Sequence, residues 1–338
     1  MRIAVVGATG VVGQTILTVF DERKIAIDTL LAYASRDHAG IVFRGATVPV
    51  FAASTERIRA DRPDVVFFAS SDDASKEMAE ALAESGAIVI DNSSTFRLDP
   101  RAPLVIPEVN PHAIENHHRI FPVANCTAIV LCVALAPVER AIGLRSVRVA
   151  TYQAVSGAGR AGLETLANEE AAAFADAAAP ERGAFAAPIF RNVVPQVGSY
   201  DGDGDTGEEQ KVCAETRKML GRPDLHVAAT TVRVPVRQAH SEAVFFETAR
   251  PTTKAELHAE FAKAAGIVFH PHGIVTPLDV EGTDLVHVAR VRPEEGSQTH
   301  WQMWIVGDQL RKGAATNGVQ ILETLLAQGR FTAAGAAS

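Results

Sequence analysis

Short apolar runs alternate with amphipathic stretches in the first third of the chain. Residues 2–6 form an apolar run that leads into a glycine-rich turn, and an amphipathic pattern then continues to about Lys24. Predicted strands follow at 30–34, 64–69 and 87–91, and a predicted helix covers 74–85. Alternating strands and helices are typical of a doubly wound parallel sheet. We therefore expect an α/β protein whose first domain is of the Rossmann type.

The pattern changes near residue 120. An apolar run at 120–124 precedes Asn125-Cys126-Thr127, and the continuous apolar stretch 128–136 predicts a buried helix. Later predicted elements are strands at 146–153, 232–236 and 301–306, an alanine-rich helix that ends near Pro180, and an amphipathic helix at 314–327. A chain of 338 residues exceeds one ordinary core. The sequence predicts two domains, the second of α+β type.

Composition narrows the class of protein. The chain is 47% hydrophobic, has a formal net charge of −8 and contains three cysteines without a CxxC spacing. These values are typical of a globular protein from a reducing compartment, and they argue against nucleic-acid or anionic-membrane partners. No run approaches the roughly 20 apolar residues that cross a membrane, and no signal-type segment follows Met1. We expect a cytoplasmic protein.

The glycine turn at 7–13, GATGVVG, lies between the first strand and the first helix. Such a turn lets the backbone approach a pyrophosphate at the helix start. The spacing is GxxGxxG, and a glycine-rich turn alone is a weak signal. The predicted cofactor contacts of this turn are Gly7, Thr9, Gly10, Val11 and Val12.

Ser35 and Arg36 follow the second predicted strand, about where an NAD-selective site carries an acidic residue. Arg36 favours a 2′-phosphate, and hence NADP. The alternative is a solvated loop arginine whose charge Asp37 offsets.

Cys126 is the candidate nucleophile. It precedes an apolar helix, where free N–H groups and the helix dipole favour the thiolate. A buried structural cysteine is the alternative, and we assign that role to Cys132 and Cys213.

Other motifs have simpler explanations. The segment 201–205, DGDGD, lacks the glycine and glutamate of a calcium loop. The histidine pairs His117-His118 and His270-Pro271-His272 lack the further ligands of a metal site, so no metal site is predicted. Thr206 and Glu209 fit a capping box. Arg233 and His240 are seven residues apart, so a bulge or turn near Pro235 is needed for both to face one site.

Several separated motifs together resemble the aspartate-semialdehyde dehydrogenase family. They run in order along almost the whole chain: GATGVVG at 7–13, DNSSTFR at 91–97, PEVNP at 107–111, NCT at 125–127, YQAVSGAG at 152–159, EEQK at 208–211, ETRK at 215–218, RVPVRQAHSE at 233–242 and KGAATNGVQ at 312–320. The resemblance implies a first domain of residues 1–127 plus 311–330 and a catalytic and dimerisation domain of residues 128–310, in a homodimer.

The resemblance also implies roles for individual residues. Cys126 corresponds to the nucleophile, His240 to the acid/base and Gln153 to the residue that orients the intermediate. Arg233 would bind the substrate α-carboxylate and Glu208 its α-ammonium, while Arg97, Asn125 and Lys211 would bind phosphate. Ser156, Gly157 and Asn317 complete the implied cofactor contacts.

The implied reaction is the reductive dephosphorylation of L-aspartyl 4-phosphate to L-aspartate 4-semialdehyde with NADPH, a step towards lysine, threonine, methionine and isoleucine. The nearest rival is N-acetylglutamyl-phosphate reductase, which Glu208 disfavours because an N-acetyl group has no ammonium. A non-catalytic paralogue is the other alternative.

The sequence departs from the family pattern at Asp37, and at Ser71 and Asp72 where glycines are usual. These departures concern the choice of cofactor.

Overall fold

The computed structural model describes residues 1–175 and 183–331. They form two compact units: Met1–Ala124 with the described part of Ala314–Ser338, and Asn125–Gly313. The sequence-based boundaries, 127 and 310, lie within three residues of these limits. Across the described ranges, no helix is long and apolar enough to span a membrane.

The first unit is built around a seven-stranded sheet of order β3-β4-β2-β1-β5-β6-β7. Its strands are β1 (Arg2–Val6), β2 (Thr29–Ala34), β3 (His38–Phe43), β4 (Ala46–Ala52), β5 (Val65–Phe68), β6 (Ile88–Asp91) and β7 (Ile120–Pro122). Its helices are α1 (Val11–Glu22), α2 (Thr55–Asp61), α3 (Asp72–Glu84) and α9 (Thr316–Ala327). All neighbouring strands are parallel except β3 and β4. This is the predicted Rossmann-type arrangement.

The sequence analysis missed α2 and the β3–β4 hairpin of this unit. The burial pattern of the hairpin is mostly exposed or half-buried, so the period-two signal of a strand with one buried face is weak. The hairpin turns at Arg44 and Gly45, both with positive φ. β3 therefore adds an antiparallel edge to an otherwise parallel sheet.

The central strands β1, β5 and β6 are buried almost throughout, as expected for parallel strands covered on both faces. α9 packs against α1 and β6. Arg23 donates two hydrogen bonds to Glu323 of this helix, and the buried Asn317 donates one to the Val105 carbonyl at 2.9 Å.

The second unit contains a six-stranded mixed sheet of order β11-β12-β13-β10-β8-β9. Its strands are β8 (Leu144–Gln153), β9 (His226–Arg233), β10 (His240–Thr248), β11 (Ile267–His270), β12 (Val286–Pro293) and β13 (His300–Gly307). Its helices are α4 (Cys126–Ala141), α5 (Gly159–Phe174), α6 (Gly207–Leu220), α7 (Lys254–Lys263) and α8 (Pro277–Val280). The predicted end of the alanine-rich helix near Pro180 lies outside the described residues.

α4 packs across one face of this sheet and is buried along nearly its whole length. The continuous apolar run of α4 thus reflects a helix enclosed by β8, β10, β12, β13 and α6. The capping box predicted at Thr206 and Glu209 is confirmed at the start of α6.

The strand predicted at 232–236 is wrong in its extent. β9 ends at Arg233, and residues 234–239 form a turn that leads into β10. Ala239, directly before His240, has a left-handed backbone with φ of 67°. The turn required near Pro235 is therefore present, and it places Arg233 and His240 at the ends of separate strands.

Candidate active site

Three candidate residues lie at one edge of the second unit's sheet. β8 is the centre of this arrangement, because β9 pairs with it on one side and β10 on the other. Gln153 ends β8 opposite Arg233, and His240 begins β10 one position before the Ser241–Tyr152 pair. All three side chains are buried. The sheet therefore brings together residues that are up to 87 positions apart in the chain.

Cys126 is the first residue of α4, as predicted. Asn125 caps this helix, and its Oδ1 accepts hydrogen bonds from the amides of Thr127 and Ala128. The Sγ of Cys126 lies 3.7 Å from Nε2 of His240. A Cβ on Gly313 would lie 2.8 Å from the Cβ of Cys126, so glycine leaves room for the nucleophile. The thiol thus has the helix start behind it and an imidazole beside it.

His240 is completely buried. Its Nδ1 accepts a hydrogen bond from the backbone N–H of Ala154 at 3.1 Å. Burial lowers the pKa of His240 well below its ordinary value, and the positive charge of Arg233 lowers it further. Both effects favour the neutral form of the ring.

Arg233 points its guanidinium into the same site. One terminal nitrogen donates to the Ala154 carbonyl at 2.7 Å, while the buried Nε has no hydrogen-bond partner among the described residues. Burial lowers the pKa of Arg233, and Cys126 and Glu208 oppose this shift. A buried guanidinium with an unused donor is suited to bind a carboxylate.

Glu208 is held by two amide side chains. Its Oε1 accepts hydrogen bonds from Asn125 Nδ2 at 2.9 Å and from Gln153 Nε2 at 3.0 Å. Gln153 also donates to the Thr127 hydroxyl at 3.0 Å. These contacts join α4, β8 and α6, so the carboxylate is fixed before any substrate binds.

We refer to Asn125, Cys126, Gln153, Glu208, Arg233 and His240 together as the Cys126 site. Lys211 lies on α6, three residues after Glu208 and half-buried. Ser156 and Gly157 lie in the short 3₁₀ turn after β8. A Cβ on Gly157 would lie 2.8 Å from the Arg233 guanidinium and 3.2 Å from the His240 ring. Gly157 therefore makes space for both side chains.

The sequence analysis missed two supporting residues. Glu215, which is almost completely buried, accepts the backbone N–H of Asn125 at 2.5 Å. Gln309 accepts the N–H of Ala239 at 2.9 Å and donates to the Ser156 hydroxyl. The ETRK motif contained Glu215, but its partner is 90 residues away in sequence, so only the fold reveals the contact.

The glycine turn of the first unit has the geometry of a phosphate-binding turn. The amides of Gly7 and Ala8 donate to the Tyr33 carbonyl, and a Cβ on Gly7 would lie 2.2 Å from the Ala69 carbonyl oxygen. No side chain caps α1 at Gly10. Thr9 precedes this cap, and Val11 and Val12 begin the helix. The first-turn amides can therefore receive an anionic group such as a pyrophosphate.

Ser35 and Arg36 are exposed directly after β2. The carboxylate of Asp37 accepts the backbone N–H of Ala52 at 2.7 Å, and so it is engaged in the β3–β4 hairpin. Asp72 is also engaged structurally, because it accepts the amide and hydroxyl of Ser94 at 2.8 and 2.6 Å. Asp37 and Asp72 thus each accept a hydrogen bond from a backbone amide within the first unit.

Arg97 lies in the first unit, in the loop after β6. Its guanidinium donates to the carbonyls of Val123 and Asn92, both at 2.9 Å. Within residues 1–175 and 183–331, no group of three His, Cys, Asp or Glu side chains is placed to hold a metal ion.

Comparison with known proteins agrees with this division into units. Residues 2–117 match the family model described as semialdehyde dehydrogenase, NAD binding domain, and residues 135–312 match semialdehyde dehydrogenase, dimerisation domain. The fold and the Cys126 site thus define a two-domain semialdehyde dehydrogenase with a nicotinamide dinucleotide-binding first unit.

Individual relatives narrow the class. Aspartate-semialdehyde dehydrogenase of Aquifex aeolicus is 39% identical over 336 residues, which cover 97% of this chain and 98% of that protein. The crystal structure of aspartate semialdehyde dehydrogenase II from Vibrio cholerae has a TM-score of 0.93 and 38% identity, with 96% and 98% of the chains covered. That enzyme has also been crystallised in complex with ASA, with a TM-score of 0.93, 37% identity and the same coverage. The chain belongs to the aspartate-semialdehyde dehydrogenase family.

Proposed function

We propose that this protein catalyses the reductive dephosphorylation of L-aspartyl 4-phosphate to L-aspartate 4-semialdehyde, with NADPH as the reductant. The observation that carries the proposal is the Cys126 site, in which a helix-start thiol lies 3.7 Å from His240 and beside a buried arginine and a fixed carboxylate. These are the groups needed for a covalent acyl intermediate on an amino-acid substrate.

Cys126 is the proposed nucleophile. Its thiolate attacks the acyl carbon of the substrate, phosphate leaves, and a thioester remains on the sulfur. Gln153 orients this thioester from the end of β8, and His240 acts on the oxygen of the intermediate. Nε2 of His240 lies 3.7 Å from the Sγ of Cys126. The ring is therefore in position to reach an oxygen on the carbon that is bound to this sulfur.

The substrate is proposed to bind by its charged groups. Arg233 pairs with the α-carboxylate through its unused Nε donor. Glu208 accepts the α-ammonium, and Asn125 and Gln153 hold the carboxylate of Glu208 for that purpose. Lys211, Asn125 and Arg97 are the proposed phosphate contacts, because two cations and an amide match its negative charge.

The residues of the glycine turn fit the pyrophosphate of a nicotinamide dinucleotide, because the first amides of α1 have no side-chain cap and glycines allow the tight turn before the helix. Arg36 and Ser35 are proposed to bind a 2′-phosphate, since the Asp37 carboxylate is already engaged by Ala52. Ser156, Gly157 and Asn317 are the proposed nicotinamide-side contacts. When bound, the nicotinamide supplies the hydride that reduces the thioester.

Glu208 distinguishes the proposed reaction from its rival, the reduction of N-acetylglutamyl phosphate. Glu208→Gln removes the charge that pairs with the α-ammonium but retains a side chain of the same shape, so kcat/KM for aspartyl phosphate should fall by roughly 10- to 150-fold, which corresponds to about 1.5–3 kcal/mol. The Cys126 thiolate should still react normally with a general thiol reagent. If aspartyl-phosphate kinetics stay intact and N-acetylated acyl phosphates become no better substrates, Glu208 does not recognise the amine.

A homodimer is the proposed assembly. α4 covers one face of the six-stranded sheet, while the opposite face exposes Tyr152 and Phe245 by 39% and 38%. Trp304 packs beside Tyr152 at 5.5 Å between ring centroids. Such an aromatic face is suited to association with a second copy. Size-exclusion chromatography with light scattering should give about twice the mass of one chain, and a monomer at micromolar concentration would contradict the proposal.

The catalytic proposal is tested most directly by phosphate release. Purified protein should release phosphate from aspartyl phosphate in proportion to NADPH oxidised. Parallel reactions with NADH give the cofactor ratio. Absence of turnover with either cofactor would favour the non-catalytic paralogue.

A further inference from the structure

The guanidinium of Arg233 is restrained by a single hydrogen bond within the described ranges. One terminal nitrogen donates to the Ala154 carbonyl at 2.7 Å, and the buried Nε has no partner there. This bond fixes one nitrogen but leaves the plane of the guanidinium free to turn. A bidentate contact with a carboxylate depends on the direction of that plane. A second contact is therefore needed to orient Arg233 before a substrate binds.

The ring of Phe185 provides such a contact. The Cζ of Arg233 lies over this ring, 5.7 Å from its centroid, which is within the range of a cation–π interaction. Phe185 is half-buried and Arg233 is buried, and removal from water strengthens the attraction. Burial lowers the pKa of Arg233. The negative face of an aromatic ring opposes that effect, because it favours the charged guanidinium that a carboxylate requires.

Phe185 belongs to the segment 183–194, which we call the strap, and the strap is attached to α5. The amide of Ala184, directly before Phe185, donates to the Thr165 hydroxyl at 3.0 Å. Further along the strap, the carboxylate of Glu169 accepts two successive backbone amides, both at 2.7 Å. Thr165 and Glu169 are four residues apart and hence on one face of α5. The helix therefore fixes the strap on both sides of Phe185.

The far end of the strap is bound to the strand that carries Arg233. Val194 exchanges two backbone hydrogen bonds with Arg233, at 2.9 and 2.8 Å. Phe185 also packs against a small buried cluster, which consists of Val155, Leu166, Ile189 and Val194. The segment that carries the ring and the strand end that carries the guanidinium are thus joined directly, so the ring and the guanidinium are held together by the backbone.

We propose that Phe185 is a positioning residue whose ring fixes the guanidinium of Arg233 in the orientation that binds the α-carboxylate of the substrate. The proposal deepens the proposed function and rests on it, because this carboxylate is that of the proposed substrate. The α-carboxylate is remote from the acyl carbon that Cys126 attacks, so its contact with Arg233 is the same in the bound substrate and in the transition state. Loss of the ring should therefore raise KM and leave kcat nearly unchanged.

Two conservative variants separate this role from simple packing against the small cluster. Phe185→Tyr keeps an aromatic ring, whereas Phe185→Leu keeps an apolar side chain without one. Phe185→Leu should raise KM for aspartyl phosphate about 3- to 10-fold at unchanged kcat, and Phe185→Tyr should stay close to the parent. Phe174→Leu is the matched control, because Phe174 is 73% exposed at the end of α5 and should leave KM unchanged. Equal KM values in Phe185→Leu and Phe185→Tyr would overturn the proposal.

Alkylation of Cys126 tests the orientation of Arg233 without any turnover. Iodoacetate and iodoacetamide are similar in size, but only iodoacetate has a carboxylate that the guanidinium can attract. Their rates of reaction are followed by mass spectrometry that assigns the label to Cys126. The ratio of the iodoacetate rate to the iodoacetamide rate should fall about 3-fold or more in Phe185→Leu and stay at the parent value in Phe185→Tyr.

The iodoacetamide rate alone shows whether the Cys126 site is intact, and it should be the same in all of these proteins. An unchanged ratio of the two rates in Phe185→Leu would overturn the role of Phe185, even in an enzyme that is fully active. Absence of turnover of aspartyl phosphate in the parent protein would contradict the proposed function instead, and the alkylation ratio would still decide whether Phe185 orients Arg233.

Discussion

The Cys126 site and the glycine turn at residues 7–13 are built by different means. In the Cys126 site, buried side chains hold one another: Asn125 and Gln153 fix Glu208, and the Ala154 peptide fixes both Arg233 and His240. In the glycine turn, the backbone amides are the proposed binding surface, and the geometry of the turn depends on the absence of side chains at Gly7 and Gly13.

This difference predicts different sensitivity to substitution. A site formed by backbone amides should tolerate changes in the side chains around it. Near the glycine turn, Asp37 and Asp72, which depart from the family pattern, accept hydrogen bonds from the backbone amides of Ala52 and Ser94. A site built from buried charged side chains should not tolerate such changes, because loss of one member leaves another unpaired in a medium of low dielectric constant.

The largest effect is expected at the nucleophile. Cys126→Ser should lower turnover by at least ~10³-fold, because an alcohol at this position is a far weaker nucleophile than a thiolate. Phosphate-coupled reduction of aspartyl phosphate is the measurement. Cys213→Ser is the matched control, since that half-buried cysteine lies on α6 and is not one of the residues of the Cys126 site. Near-normal activity in Cys126→Ser would exclude the thioester route.

Arg233→Lys should have the next largest effect. An ammonium cannot form the two parallel hydrogen bonds of a guanidinium, and a truncated buried charge pair typically costs about 2–5 kcal/mol. We therefore expect kcat/KM for aspartyl phosphate to fall by roughly 30-fold or more. Arg237→Lys, an exposed change in the same turn, should be nearly neutral. Equal kinetics in the two variants would remove Arg233 from substrate binding.

The sequence predicted most of the strands and helices, because these depend on patterns within short segments of the chain. Apolar runs located the parallel strands and the buried helix that follows Cys126, and the capping box at Thr206 located the start of α6. The resemblance supplied the candidate residues of the Cys126 site. The β3–β4 hairpin was missed because its strands bury little apolar surface.

Contacts between distant segments could not be predicted in the same way. The Glu215–Asn125 and Gln309–Ala239 hydrogen bonds join residues 90 and 70 positions apart. The Ala154–His240 contact uses a backbone N–H, which every residue except proline has, so no residue type signals it. The left-handed conformation of Ala239 has no sequence signal either, because alanine rarely adopts it.

A third prediction concerns stability within the second unit. Glu242 is completely buried, neither carboxyl oxygen has a hydrogen-bond partner among the described residues, and burial raises its pKa well above the ordinary value. The folded protein therefore keeps a proton on Glu242 that the unfolded chain releases. The free energy of unfolding is therefore highest below the unfolded pKa of Glu242. It falls by about 1.4 kcal/mol per pH unit as the pH rises from the unfolded pKa to the folded pKa.

Glu242→Gln removes this dependence, because an amide does not ionise. The difference in melting temperature between the variant and the parent should grow in favour of the variant from mildly acidic to mildly alkaline pH. Glu247→Gln, on the other face of the same strand, is the control. A pH-independent difference at position 242 would mean that the carboxyl group is not protonated in the folded state.

The smallest effect is expected where the glycine turn meets the end of β2. Arg36 is exposed, so its contact with a 2′-phosphate is partly screened and should contribute only about 1.4 kcal/mol, a factor of 10. Arg36→Ala should therefore reduce the preference for NADPH over NADH about 10-fold, through KM for NADPH, while kcat and KM for the substrate stay unchanged. Asp37→Asn keeps an oxygen that can accept the Ala52 amide but removes a negative charge beside the same phosphate. Asp37→Asn should shift the preference for NADPH over NADH slightly in the opposite direction.

If both variants leave the NADPH to NADH ratio of kcat/KM unaltered, the residues after β2 do not recognise the 2′-phosphate, and NADP preference must come from elsewhere. If Arg36→Ala instead lowers kcat with both cofactors, the glycine-turn region is as sensitive to its side chains as the Cys126 site, and the contrast between the two regions fails.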